Sequence, residues 1–256
     1  SDTSLQRKAH QLEEDEDDDG FFDDVFSVLE LLKHLIMVVD WIDGSTSEDG
    51  SGAIDVDVAG VAFFGLSTIL PLITPHTLLV PKICDSFFAL MGCMASDHAE
   101  RFAALDPGLF QALAQALEFG IGNSQSRVSR DSLQGIEGLA AHHASARSKG
   151  TPSAFQHHLD PGLGGLCPDL FLRWLKDLLE HAIFQEAVYD RLSAISDALF
   201  ALICCEIDRF QGMVQAIIES QPPHHQHRLG DAFQSLVSSN GIAFQPSRTD
   251  RAKFNK

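Results

Sequence analysis

At 256 residues and 45% apolar, the chain can bury one large core or build a long stack of small units. Its formal net charge of −18 leaves nothing to neutralise a row of phosphates, which argues against nucleic acid as a partner. The acidity sits at one end, since residues 1–57 hold 17 acids against 3 Lys or Arg and the remainder holds 19 against 15. Such a block either solvates the chain or faces a basic protein.

Strand signals are poor: there is one Tyr, and β-branched residues rarely alternate with polar ones. Leu, Ala, Phe and Gln dominate the periodic segments, so the expected fold is all-α.

Residues 1–20 are polar and end in EEDEDDDG, which predicts a disordered acidic tail. From Phe21 to Ile42 the apolar residues Val25, Leu29, Leu32, Ile36 and Val39 fall on one helical face. A loop is expected at 43–54. The stretch Val58 to Val80 then carries no Asp, Glu, Lys or Arg over 23 residues. It is not read as a membrane span. Asp55 to Leu70 gives only about 24 Å of helix before Pro71, against a bilayer core of about 30 Å. Lys82 is the only flanking cation, so no basic cluster anchors it. A helix apolar on nearly every side is instead expected to be sandwiched between other helices.

A partner helix is predicted over Ile83 to Ala95. Asp106-Pro107 is a helix start, with Leu109, Phe110, Leu113 and Leu117 as its stripe and Gly120 and Gly122 as its end. Asn123 or Ser124 is the expected cap of the next helix, striped by Val128, Leu133, Ile136 and Leu139. Residues 146–167 read as a loop with room for a short turn. Pro168-Asp169 starts a helix with Phe171, Trp174, Leu175, Leu178 and Ala182 inward. Val188, Leu192, Ile195, Leu199 and Leu202 stripe the following one. Ile207 to Ile218 is the next, stopped by Pro222-Pro223, and Leu229, Phe233, Leu236 and Val237 mark the last. A short basic segment with Arg248, Arg251, Lys253 and Lys256 follows.

About nine helices result, falling into pairs that start near residues 56, 106, 168 and 206. Such pairs cannot bury their apolar faces alone and must stack. The expected architecture is an α-α superhelix of HEAT or ARM type over residues 21–256, with a globular helical bundle as the alternative.

No catalytic, cofactor or metal signature emerges. His224, His225 and His227 cluster, and His142-His143 and His157-His158 are adjacent, but neighbouring histidines on a helix diverge and no second ligand motif accompanies them. GLGGL (Gly162 to Leu166) follows no strand and precedes no Lys-Ser/Thr. Asp197, Glu206 and Asp208 read as solvated or capping charges. The five cysteines, Cys84, Cys93, Cys167, Cys204 and Cys205, are odd in number and mostly set in apolar helices. They read as core thiols of a reducing compartment. The chain is therefore read as a binding protein and not an enzyme. If the second helix of each pair lines the concave side, the candidate contacts are Arg127, Arg130, Asp131, Asp190, Arg191, Arg228 and Asp231.

Several runs carry a resemblance. GVAFFGLSTILPLITPHTLL (Gly60 to Leu79), LDPGLFQALAQALEFGI (Leu105 to Ile121) and HRLGDAFQSLV (His227 to Val237) lie in one order. VFSVLELLKHL (Val25 to Leu35) precedes them and TDRAKF (Thr249 to Phe254) follows. In order and wording the chain resembles the C-terminal part of nuclear transport receptors of the exportin-4 type, in the importin-β (karyopherin) superfamily. The resemblance implies a HEAT-repeat segment that takes part in binding protein cargo with Ran-GTP, meets nucleoporins, and shuttles between nucleus and cytoplasm. Cargoes associated with those receptors include the hypusine-bearing translation factor and Smad-type proteins. No family binding residue can be carried over, because no fixed motif marks one. A Ran-independent HEAT scaffold is the competing reading.

Overall fold

The computed structural model describes residues 20–37, 57–184, 189–238 and 244–255. The expected acidic tail except Gly20, the loop at 43–54, Val39 to Ile42 and Val188 lie outside the described residues. Every regular element among the described residues is helical, and no strand occurs among them. None of these helices is long and apolar enough to cross a membrane. The fold is all-α and HEAT-like. The chain divides into two compact units, Ser1–Leu90 and Met91–Lys256.

The first unit is built from α1 (residues 20–37), α2 (Val58–Ile69) and the opening turns of α3 (Pro81–Asp97). Val25, Leu29, Leu32 and Ile36 of α1 are buried, as their spacing requires. Asp57 caps α2 by accepting a hydrogen bond from the Gly60 amide at 2.8 Å, a contact worth about 1 kcal/mol. The helix starts three residues later than Asp55 suggests. Pro71 ends it in a 3₁₀ turn over Leu70–Leu72. Helix α1 meets α2 at Gly65, where a Cβ would lie 2.5 Å from Leu32 Cδ2. It meets α3 through the Ser86 hydroxyl, which donates to Glu30 Oε1 at 2.6 Å, and through a Lys82–Asp23 ion pair.

The expectation that α2 is sandwiched on every side is not met. Ala59, Ala62, Phe63, Leu66 and Ile69 are buried, but Phe64 is 72% exposed and Val61 51%. Helix α2 is one-sided because α1 and its neighbours cover a single stripe. The apolar composition of its other stripe does not bring a cover with it.

In the second unit, consecutive helices pair. They are α5 (Pro107–Ile121) with α6 (Ser126–Ser148), α8 (Leu170–Phe184) with α9 (Leu192–Cys205), and α10 (Ile207–Glu219) with α11 (Pro223–Ser238). The most extensive packing of all runs between α6 and α9. Asp106 caps α5 as its sequence predicts, accepting from the Gly108 and Leu109 amides. Helix α6 is different. Its N-cap is Gln125, without a side-chain cap, while Asn123 Oδ1 accepts the Gln125 amide one turn earlier. Asn123 thus shapes the turn instead of capping the helix. Among the described residues three helices escape the periodicity: α4 (Ala99–Ala103), of a single turn and a half, α7 (Gln156–Leu159), of a single turn, and α12 (Arg248–Phe254), hidden in a polar segment. Leu192, assigned to an inward stripe, is 54% exposed, because it is the first residue of α9 and projects past the packed region.

The segment expected as a loop at 146–167 is shorter and more ordered. Helix α6 runs through Ser148, and α7 (Gln156–Leu159) and a 3₁₀ turn (Pro161–Leu163) follow. Phe155 and His158 are fully buried there and plug the core. Phe102, Phe110, Phe155, Phe171 and Trp174 form a chain of ring contacts with centroids 5.8–5.9 Å apart. Such aromatic pairs add about 0.5–1.5 kcal/mol each beyond their buried area. His158 stacks on Phe110 at 3.9 Å. Its Nε2 lies 2.8 Å from the Ala103 carbonyl, which can only accept, so Nε2 carries the proton. His143 stacks on Phe171 at 4.7 Å, with Nδ1 2.7 Å from the Ser153 hydroxyl.

Glycines set how closely α3 and α6 approach. A Cβ on Gly92 would lie 2.5 Å from the Asp131 carbonyl oxygen, and one on Gly138 2.3 Å from Ser96 Cα. Both obstacles are backbone and cannot swing aside. Gly92→Ala and Gly138→Ala each gain about 1 kcal/mol of helix propensity but incur overpacking of about 1–3 kcal/mol. A net loss of up to about 2 kcal/mol is expected for each in urea unfolding. Gly212 in α10 has nothing within 4 Å, so Gly212→Ala is expected to stabilise by about 0.5–1 kcal/mol.

Acid sensitivity follows from the buried imidazoles. Burial, aided by Arg147 and His142, pushes His143 down from 6.5 to about 4. Burial also lowers His158 and His181. Below pH 6.5 the unfolded chain takes up protons that the folded chain refuses. Stability is therefore complete above pH 6.5 and is lost as pH falls toward 4, by on the order of 3 kcal/mol for His143 alone. Thermal melts at pH 7 and 4.5 check this, and His143→Asn is expected to flatten the dependence.

Candidate functional site

The helix-pair geometry singles out the face shared by α6 and α9. A cleft of about 380 Å³ opens between them, lined by Arg130, Gln134, Glu137, Asp190, Asp197 and Arg251 among others. A second cavity of about 180 Å³ lies further along the same helices, beside Ala144, Phe200, Cys204 and Arg248. Glu137 and Arg251 border both.

Arg251 of α12 is the centre of this face. Its Nη1 donates to Glu137 Oε1 on α6 at 2.7 Å, and its Nε donates to Asp197 Oδ1 on α9 at 2.6 Å. Asn255 reinforces the second contact, donating from Nδ2 to Asp197 Oδ1 at 2.7 Å and accepting from the Ser196 hydroxyl at 2.6 Å. One guanidinium thus ties three helices, its rigid fork offering Nε to one carboxyl and Nη1 to the other. The two carboxyls respond differently. Burial raises Glu137, and the Arg251 charge offsets only part of that rise. Burial would raise Asp197 too, but hydrogen bonds from Arg251 and Asn255 outweigh it and hold the carboxyl below its ordinary value. On acidification Glu137 takes a proton first, while Asp197 keeps its grip on Arg251.

Next to this cluster sits an aromatic one. Phe254, one helical turn beyond Arg251, is buried with its ring 5.5 Å from Phe200 and 6.2 Å from Phe244. Helix α12 therefore engages the α6–α9 face through a charge and a ring spaced i, i+3.

Of the residues singled out from sequence, Arg130 and Asp190 line the cleft. Asp190 accepts a hydrogen bond from the Ser126 hydroxyl, which, with Arg191 adding to it, holds its carboxyl low. Arg191 is buried, and its Nη1 donates to the Asn123 carbonyl at 3.0 Å, fastening the start of α9 to the α5–α6 turn. Asp131 is half-buried, with its carbonyl under Gly92. Arg127 is exposed on the first turn of α6. Arg228 and Asp231 are exposed on α11, outside the cleft lining, and Asp231 Oδ2 lies 2.9 Å from His227 Nδ1.

The sequence reading missed Glu137 and Arg251 and took Asp197 for a solvated charge. Glu137 follows buried Ile136, a hint that it borders the packed stripe. Nothing local pairs it with a residue 114 positions on.

His224 and His225 are exposed on the first turn of α11. Among the described residues no three His, Cys, Asp or Glu converge to hold a metal ion. The cysteines are free thiols. Burial pushes Cys204 up to about 12 and Cys205 well above its ordinary value, which suppresses thiolate chemistry at both.

Helical hairpins stacked in this way make a HEAT-like repeat fold. Two relatives are similar in sequence: exportin-7-B and exportin-7-A of Xenopus laevis are each 21% identical over 194 residues. The match covers 73% of this chain and 18% of either exportin, so the chain spans about a fifth of their length. No family model matches. The similarity is to exportins in general and does not single out the exportin-4 type.

Removing the guanidinium tests the cluster. Arg251 is 40% exposed and its two carboxyl partners 21% each, so the full penalty for orphaning a buried charge is discounted. Arg251→Ala is expected to cost about 1–2 kcal/mol in chemical unfolding. With no guanidinium beside it, Glu137 is expected to titrate at a still higher pH, followed by its side-chain carbon resonance.

Proposed function

We propose that the chain is a HEAT-type segment of a nuclear export receptor of the exportin-4 type, contributing to a surface that takes protein cargo together with Ran-GTP. The observation that carries this reading is the exportin similarity over most of the chain, joined to a hairpin stack whose α6–α9 face bears ionic and aromatic groups. The runs Gly60 to Leu79, Leu105 to Ile121 and His227 to Val237 support the particular branch. A receptor of this class moves between nucleus and cytoplasm and touches nucleoporins on the way.

The mechanism follows from the way hairpins stack. Each packs on its neighbours through side chains of limited area, so small rotations at successive interfaces accumulate along the array. Ran-GTP and cargo are then coupled if both favour the same set of rotations. A coupling of 1–3 kcal/mol changes cargo affinity by about 5–150-fold.

Pull-down of cargo by the full-length receptor, with Ran locked in its GTP or its GDP form, tests this. Cargo recovery is expected to rise at least fivefold with the GTP form. Equal recovery would instead assign the chain to a Ran-independent scaffold.

A further inference from the structure

Helix α12 occupies the α6–α9 face in a way that resembles a bound peptide more than a repeat. It is seven residues long, and among the described residues its main packing is against α9. Among the described residues, three side chains give it its ionic and aromatic hold. Arg251 spans Glu137 and Asp197, Asn255 caps Asp197, and Phe254 enters the Phe200–Phe244 cluster. Arg248, Thr249 and Ala252 are exposed. The cleft is only part-filled, since about 380 Å³ remains open on one side of Arg251 and about 180 Å³ on the other. Arg130 and Asp190 wait at the open end with room for a longer ligand.

We propose that this cleft is a recognition site for an arginine-bearing helical segment of a partner protein, with an aromatic residue three positions after the arginine, and that α12 fills the site as an intramolecular stand-in. The chemistry of the occupant follows from the walls. A carboxyl on α6 and another on α9 lie within reach of one guanidinium, which binds both through its fixed fork. The ring subsite sits one helical turn further on. Lysine would meet the charge from a single nitrogen, without the planar fork that presents separate nitrogens to the two carboxyls.

The stand-in sets a threshold. Tethered to α11 by a short link, α12 meets the cleft at an effective concentration of order mM. A partner must outcompete it, and its apparent affinity falls by the fraction of time the cleft is open. The inference goes beyond the export reading and is independent of Ran, since a static scaffold could be gated in the same way.

The test uses the full chain and a labelled synthetic peptide of residues 245–255, QPSRTDRAKFN, read by fluorescence anisotropy. The chain carrying Arg251→Glu and Phe254→Ala is expected to bind the peptide at least 10-fold more tightly than the unaltered chain. Adding Glu137→Gln and Asp197→Asn is expected to abolish that gain. Equal binding by the two chains, or binding that survives neutralisation of the carboxyls, would overturn the proposal. Hydrogen exchange on the unaltered chain gives a second readout that does not depend on the variants folding. Peptide at about 1 mM, near the tether's own concentration, is expected to speed exchange of the 248–254 amides severalfold. Unchanged exchange would also overturn the proposal.

Discussion

The second unit depends on how closely α6 lets other helices approach. Its buried residues include Ser129, Ser132, Gly135, Ala140 and Ala144, and Leu117 and Ala95 press on Gly135 within 3.1–3.2 Å of where a Cβ would be. Small side chains let the backbones of α3, α5 and α9 come near from three directions. Dispersion then rewards every atom pair, because the interior is denser than water. The serines keep this from being a polar liability. Ser129 donates to the Ile121 carbonyl and Ser132 to that of Val128, so neither hydroxyl is buried unsatisfied. A large residue at any of these places would push a neighbouring helix outward and shift every layer built on it.

From that centre two different cores extend. Toward α4, α5 and α8 the packing is aromatic, and the 149–169 connection threads Phe155 and His158 into it. This connection is built like a wedge: the Cys167 amide donates to the His158 carbonyl, and Gly165 passes so close to the same carbonyl that a Cβ there would sit 2.5 Å away. Toward α9 and α12 the packing is apolar below and ionic above. Arg147, Arg191 and Arg251 each bridge distant parts of the chain. Arg147 donates to the Cys205 carbonyl, Arg191 to that of Asn123, and Arg251 to two carboxyls. These three arginines thus join layers.

The helices were legible in the sequence because each announces itself locally. The Asp106-Pro107 start, the Pro71 stop and the stripes of α1, α5, α8 and α10 need only neighbouring residues to be read. What escaped was whatever depends on partners far along the chain. Phe155 and His158 sit in a polar, glycine-rich run, and only the position of Phe110 makes them core. Phe63 and Phe64 are adjacent and identical, yet one is buried and the other 72% exposed, because a neighbour covers one stripe of α2 alone. Of the seven residues singled out from sequence, Arg130 of α6 and Asp190, in the 3₁₀ turn before α9, border the cleft. The ion cluster at its heart needed three helices to be placed before Glu137 and Asp197 could be seen to share one cation.

The separation between Glu137 and Arg251 bears on the order in which the protein is made. Hairpin contacts join residues close in sequence and can form while translation continues, whereas a link across 114 residues must wait. A ribosome emits α6, then α9, and much later the arginine that neutralises them. Throughout that interval the nascent chain displays an unmatched pair of anionic groups beside an uncovered phenylalanine. A helper that presents arginine beside an apolar surface would match both features at once.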